Sequence, residues 1–101
     1  MSHLAILATL DARPGKEKEV EEFLKSAQPL ALRETGTVEW FAVKLGPSRF
    51  AVFDTFADAA GRDAHLSGDI ARALLAKAEE LFSSPPRIEQ ATILAEKTSR
   101  S

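Results

Sequence analysis

The run from Trp40 to Leu66, WFAVKLGPSRFAVFDTFADAAGRDAHL, gathers most of this chain's reactive and aromatic side chains. It holds the only tryptophan, four of the six phenylalanines (Phe41, Phe50, Phe53 and Phe56), a mid-strand acid, Asp54, and one of two histidines, His65. An imidazole titrates near neutral pH, so His65 could act as general base toward a substrate hydroxyl. It could equally be structural, bonded to a backbone carbonyl or to Asp69. Asp54 is a carboxylate within an otherwise apolar strand. If buried it needs a partner, and Arg62 or His65 is the natural candidate. Such a pair would orient a catalytic imidazole or simply pin helix to strand. Trp40, Phe53 and Phe56 could line a pocket for a flat molecule, although strand aromatics also serve as plain core. Arg62, close before His65 in sequence, could bind an anionic oxygen at the pocket mouth or be solvated.

Other chemistries find little support. With no cysteine among 101 residues, disulfides, thiolate zinc sites and a cysteine nucleophile are excluded, which fits a reducing cytoplasm. His3 and His65 lie far apart and neither belongs to a ligand pattern of known spacing, so no metal is expected. No glycine-rich phosphate loop is present for a nucleotide or flavin. A net charge of −2 gives no electrostatic reason to expect nucleic acid or an anionic membrane. No run approaches the roughly 20 apolar residues of a membrane span, and the short apolar start reads as a strand rather than a signal peptide.

The elements that must position these residues follow from pattern. The sequence predicts a strand over His3–Asp11 and a turn at Arg13–Gly15. A helix follows from Lys16 to about Arg33, with Val20, Phe23, Leu24, Ala27, Leu30 and Ala31 on one stripe. Pro29 lacks a backbone donor, so a kink or break is expected just before it. Thr37–Leu45 and Arg49–Phe56 form a hairpin about Gly46-Pro47-Ser48. Asp58 should cap a short helix reaching Leu66, interrupted by Gly68. Asp69 should cap a second piece, Ile70–Phe82. A last strand covers Ile88–Ala95, and the tail from Lys97 to Ser101 should fray. The order β-α-β-β-α-β is the ferredoxin-like arrangement of an α+β domain, with the whole chain as one domain.

The strands are apolar on both faces: Leu4, Ile6, Ala8 and Leu10 against Ala5 and Leu7, and Trp40 and Ala42 against Phe41 and Val43. One layer of helices covers one face only. A second copy packed sheet on sheet would cover the other, so a homodimer is expected.

The hairpin WFAVKLGPSRFAVFDTF, the following ADAAGRDAHLSGDIARAL and the closing PPRIEQATILAEK resemble the antibiotic biosynthesis monooxygenase domain of the dimeric α+β barrel superfamily. The resemblance spans about Leu4 to Lys97. It implies two protomers packed sheet to sheet, each with its own pocket between sheet and helices. It places His65 at the family's helical histidine and implies a cofactor-independent oxygenase acting on a small phenol or quinol. A non-catalytic small-molecule-binding protein is the alternative. The chain departs from the family's pattern in having no Asn and no Tyr. Where haem-degrading members use a strand Trp, this chain has Phe56. That argues against haem turnover.

Overall fold

The computed structural model describes residues 4–98. His3 and residues 99–101 of the expected frayed tail lie outside the described residues. The element order is β1 (Leu4–Asp11), α1 (Glu17–Arg33), β2 (Thr37–Lys44), β3 (Arg49–Phe56), α2 (Ala59–Leu66), α3 (Asp69–Leu81) and β4 (Arg87–Thr92). The four strands form one antiparallel sheet in the order β2-β3-β1-β4. This is the ferredoxin-like topology that the pattern of elements implied.

Three local expectations need correction. First, α1 runs unbroken through Pro29. Pro29 and Lys25, whose carbonyl loses its donor, are both exposed, so solvent can satisfy that oxygen. Ala27 and Ala31, on either side, stay buried and hold the helix to the core. Second, Asp69 is the first residue of α3 and not its cap; Gly68 takes the cap position with no side-chain bond, and the Asp69 carboxylate pairs with Arg72 instead. Third, β4 ends at Thr92 rather than Ala95. Thr92 pairs with Leu4, the last partner that β1 offers among the described residues.

Cross-strand register sorts the side chains. Ile6 pairs with Asp54 and Asp54 with Trp40; Ala8, Val52 and Ala42 make the next row, and Leu10, Phe50 and Lys44 the one after. These rows face the helices, since successive side chains alternate between the two faces of a strand. Leu10, Val20, Leu24, Phe50, Leu74, Leu81 and Phe82 form the main buried cluster there, and Ala27, Ala31 and Ile70 a second, with Trp40 packed against it. The opposite face carries the row Leu7, Phe53, Phe41, with Val43 beside it. Among the described residues no helix lies over it, and Phe41 remains 52% exposed.

Candidate functional site

His65 sits one residue from the end of α2 and is buried. Its helix begins where the Asp58 side chain accepts a hydrogen bond from the Gly61 N–H at 2.8 Å. Gly61 also touches the α1–β2 loop. A Cβ built on Gly36 would lie 2.6 Å from Gly61 Cα, and one built on Gly61 would lie 2.8 Å from the Gly36 carbonyl oxygen. Only two glycines let these backbones meet so closely. The Ala57 N–H donates to the same Gly36 carbonyl at 3.0 Å. This contact brings Glu34, just past the end of α1, to the imidazole.

The ring stands between two carboxylates. Nδ1 donates to Glu34 Oε1 at 2.7 Å, and Nε2 lies 2.9 Å from Asp54 Oδ2. The second is a close charge contact without the angle of a hydrogen bond, so neither Asp54 oxygen has an aligned donor. The Thr37 hydroxyl also donates to Glu34 Oε1, at 2.7 Å. Burial works against charge on the ring, but Asp54 and then Glu34 outweigh it and push the His65 pKa from 6.5 up to about 9. At neutral pH the ring is therefore an imidazolium, with a proton on each nitrogen and no lone pair free to take another. The Phe56 ring packs against it with centroids 5.3 Å apart.

Asp54 is 0% exposed and lies at the edge of a cavity of about 50 Å³ between the sheet and all three helices. Leu24, Trp40, Leu66, Ile70 and Leu74 make much of its wall, and His65 borders it too. The lining is apolar except for Asp54, His65 and the indole. Trp40 Nε1 is buried with no acceptor, just as Asp54 Oδ1 is buried with no donor. A buried donor and a buried acceptor that are both unmatched cost stability, so each calls for a partner. On its far side, His65 borders a second, more open hollow of about 350 Å³ with Glu34, Arg33 and Asp69 in its wall. The two carboxylates lie on opposite edges of the ring and do not converge on one point. Among the described residues no three His, Cys, Asp or Glu side chains are grouped to hold a metal ion.

Of the residues singled out from sequence, the structure brings His65, Asp54 and Trp40 to one cavity. Phe56 is fully buried and backs the imidazole without lining the cavity. Phe53 lies on the other face of the sheet, beside Leu7 and Phe41, because its register is one residue from that of Asp54. Arg62 does not line the cavity, and its Nε is buried without a hydrogen-bond partner. Asp54 finds His65, one of its two expected partners, and His65 pairs with neither Asp69 nor a backbone carbonyl. Glu34 was missed. Its sequence signal is a carboxylate just after Arg33 at a helix C-terminus, where the dipole favours a cation, so an acid there points to a cation supplied from elsewhere.

No protein-family model matches the chain, and no curated protein does. Solved structures do. The NE2512 protein of Nitrosomonas europaea, described as of unknown function, is 56% identical over 97% of this chain and 95% of its own, with a TM-score of 0.93. Rv0793 from Mycobacterium tuberculosis is 17% identical over 96% of this chain and 100% of its own, at a TM-score of 0.83. An antibiotic biosynthesis monooxygenase is 14% identical over 91% of this chain and 99% of its own, at 0.77. The last two share the fold, which is thus the one adopted by antibiotic biosynthesis monooxygenase structures.

Proposed function

The chain belongs to one family with the NE2512 protein, and from its buried polar cavity we propose that it is a cofactor-independent oxygenase of a small phenol or quinol. One observation carries this reading: Asp54, whose carboxylate has no aligned donor, Trp40, whose indole N–H has no acceptor, and His65, an imidazolium, are all residues that line the same apolar space. Asp54, not His65, takes the proton of the substrate hydroxyl in this scheme. The imidazolium supplies the positive charge that favours the resulting phenolate. The electron-rich anion then reduces dioxygen itself. A ring C–H becomes C=O, one oxygen atom of dioxygen enters the product, and the other leaves as water with the protons released. No external reductant is needed for that balance. The likeness in fold to an antibiotic biosynthesis monooxygenase supports the class of reaction.

Entry requires the cavity to widen. It measures about 50 Å³ here, whereas a cavity of about 150 Å³ is one that takes up benzene. Leu24, Leu66 and Leu74 are the side chains whose rotamers can supply that space. The small closed volume also favours a second reading, in which the protein binds a small molecule without turning it over. The open sheet face belongs to the proposal as well: Leu7, Phe41, Val43 and Phe53 are the surface for a second copy, giving a homodimer.

Oxygen uptake with a panel of phenols and quinols tests the oxygenase reading. We expect uptake in the absence of added metal or flavin, reduced about 10²–10⁴-fold by Asp54→Asn. A folded protein that consumes no oxygen with any of them, yet melts higher in their presence, is a binding protein.

A further inference from the structure

Two groups at the cavity have unmet hydrogen bonds of opposite sense, and they are direct cross-strand partners. Trp40 and Asp54 oppose each other in the β2–β3 ladder, on the face that borders the cavity. Side chains so opposed start from Cβ atoms about 5 Å apart. The indole N–H donates to nothing and Asp54 Oδ1 accepts from nothing, so the two do not satisfy each other. As neighbours across the ladder that both line the cavity, they call for an occupant with an acceptor for the indole and a hydroxyl proton for the carboxylate.

Rings with two oxygens differ sharply by this criterion. A 1,4-diol holds its oxygens at opposite ends and reaches only one of the two groups at a time. A 1,2-arrangement presents both from a single edge. We propose that the cavity takes an ortho-oxygenated ring, a catechol or an ortho-hydroxy carbonyl compound, whose hydroxyl donates to Asp54 and whose adjacent oxygen accepts from Trp40. This narrows the substrate class of the oxygenase reading and depends on that reading for turnover, but not for binding. The selectivity arises because an oxygen placed away from its partner leaves a buried polar group unmatched.

The test is calorimetric titration of the whole protein without oxygen, using catechol, hydroquinone and salicylaldehyde as probes. Catechol should bind about tenfold more tightly than hydroquinone, the effect of one well-placed hydrogen bond. Salicylaldehyde tells whether the adjacent oxygen can be a carbonyl. Trp40→Phe keeps a ring and removes the N–H, and should bring the ratio of affinities close to one. Because Trp40 is the only tryptophan, quenching of its fluorescence gives an independent reading in the wild type, whether or not the variant folds. Equal affinity for catechol and hydroquinone, binding of neither, or a preference that survives in Trp40→Phe would overturn the proposal. Oxygen uptake, measured separately, tells the two ideas apart. Selective binding without uptake removes the oxygenase and leaves the recognition rule, while uptake without selectivity does the reverse.

Discussion

The two faces of the sheet invert the usual distribution of polarity. On the covered face, Asp54 is wholly buried beside a buried histidine; on the uncovered face, Phe41, Val43 and Leu7 meet solvent. Both arrangements come from the same strands, one residue apart, and each leaves groups without a counterpart among the described residues. The covered side has a donor and an acceptor with no counterpart, the uncovered side an apolar row with no lid. On the function proposed above, the first would be met by a small polar-edged molecule and the second by the apolar face of a second copy.

The strongest way to break that contrast is to place a charge on the uncovered row. Phe53→Asp puts a carboxylate between Leu7 and Phe41. If a second copy covers this face, burying that charge costs on the order of 5 kcal/mol, comparable to the whole stability of a small domain. Sedimentation should then show loss of the dimer or of the fold. An unchanged melting temperature and a monomeric wild type would show the face to be ordinary surface.

On the covered side, His65→Ala removes the cation from between Glu34 and Asp54. Deleting one partner of a buried pair costs roughly 3–5 kcal/mol, to be read from urea unfolding. Gly61→Ala is next, at about 1–3 kcal/mol, because its Cβ would meet the Gly36 carbonyl at 2.8 Å. Gly46→Ala, with nothing within 4 Å of the added atom, is the matched control and should leave melting unchanged.

Proton linkage sharpens the comparison further. The folded-state pKa of His65 lies near 9, above its ordinary 6.5. Its contribution to stability is therefore fully present below about pH 6.5 and is lost as pH rises through about 9. Thermal melts across that window should decline in the wild type. Among the charge variants, Glu34→Gln should have the smallest effect at neutral pH, less than about 1.5 kcal/mol, and should begin the decline at lower pH. An unmoved alkaline limb in that variant would show that Glu34 does not help hold the proton.

Much of this architecture was legible from residue pattern. The hairpin, the Asp58 cap and the break near Gly68 rest on local chemistry that any context preserves, and Asp58 does accept from Gly61. Two apolar registers per strand showed both faces to be apolar, although not which one the helices cover. That is why Phe53 and Trp40 were grouped as one lining and are found on opposite sides. Pro29 does not break the helix, because propensity describes an isolated helix whereas Ala27 and Ala31 anchor this one to the core. Glu34 was hidden for another reason. An acid at a helix C-terminus signals a cation but not which one, since His65 lies far along the chain and the meeting depends on the close approach of two backbones at Gly36 and Gly61.

The contact between Gly36 and Gly61 also has a mechanical consequence. It ties the start of α2 to the α1–β2 loop with no side chain to act as a cushion, so Glu34 and His65 are carried on a single stiff frame. Asp54 is fixed by a strand with neighbours on both sides. The remaining wall, where Leu66, Leu74 and Leu24 meet, is built from side chains with several accessible rotamers. The cavity is thus a vice with one fixed jaw. A guest of the proposed kind should therefore enter by displacing leucines, with the distances from the imidazole to Glu34 and Asp54 expected to change little.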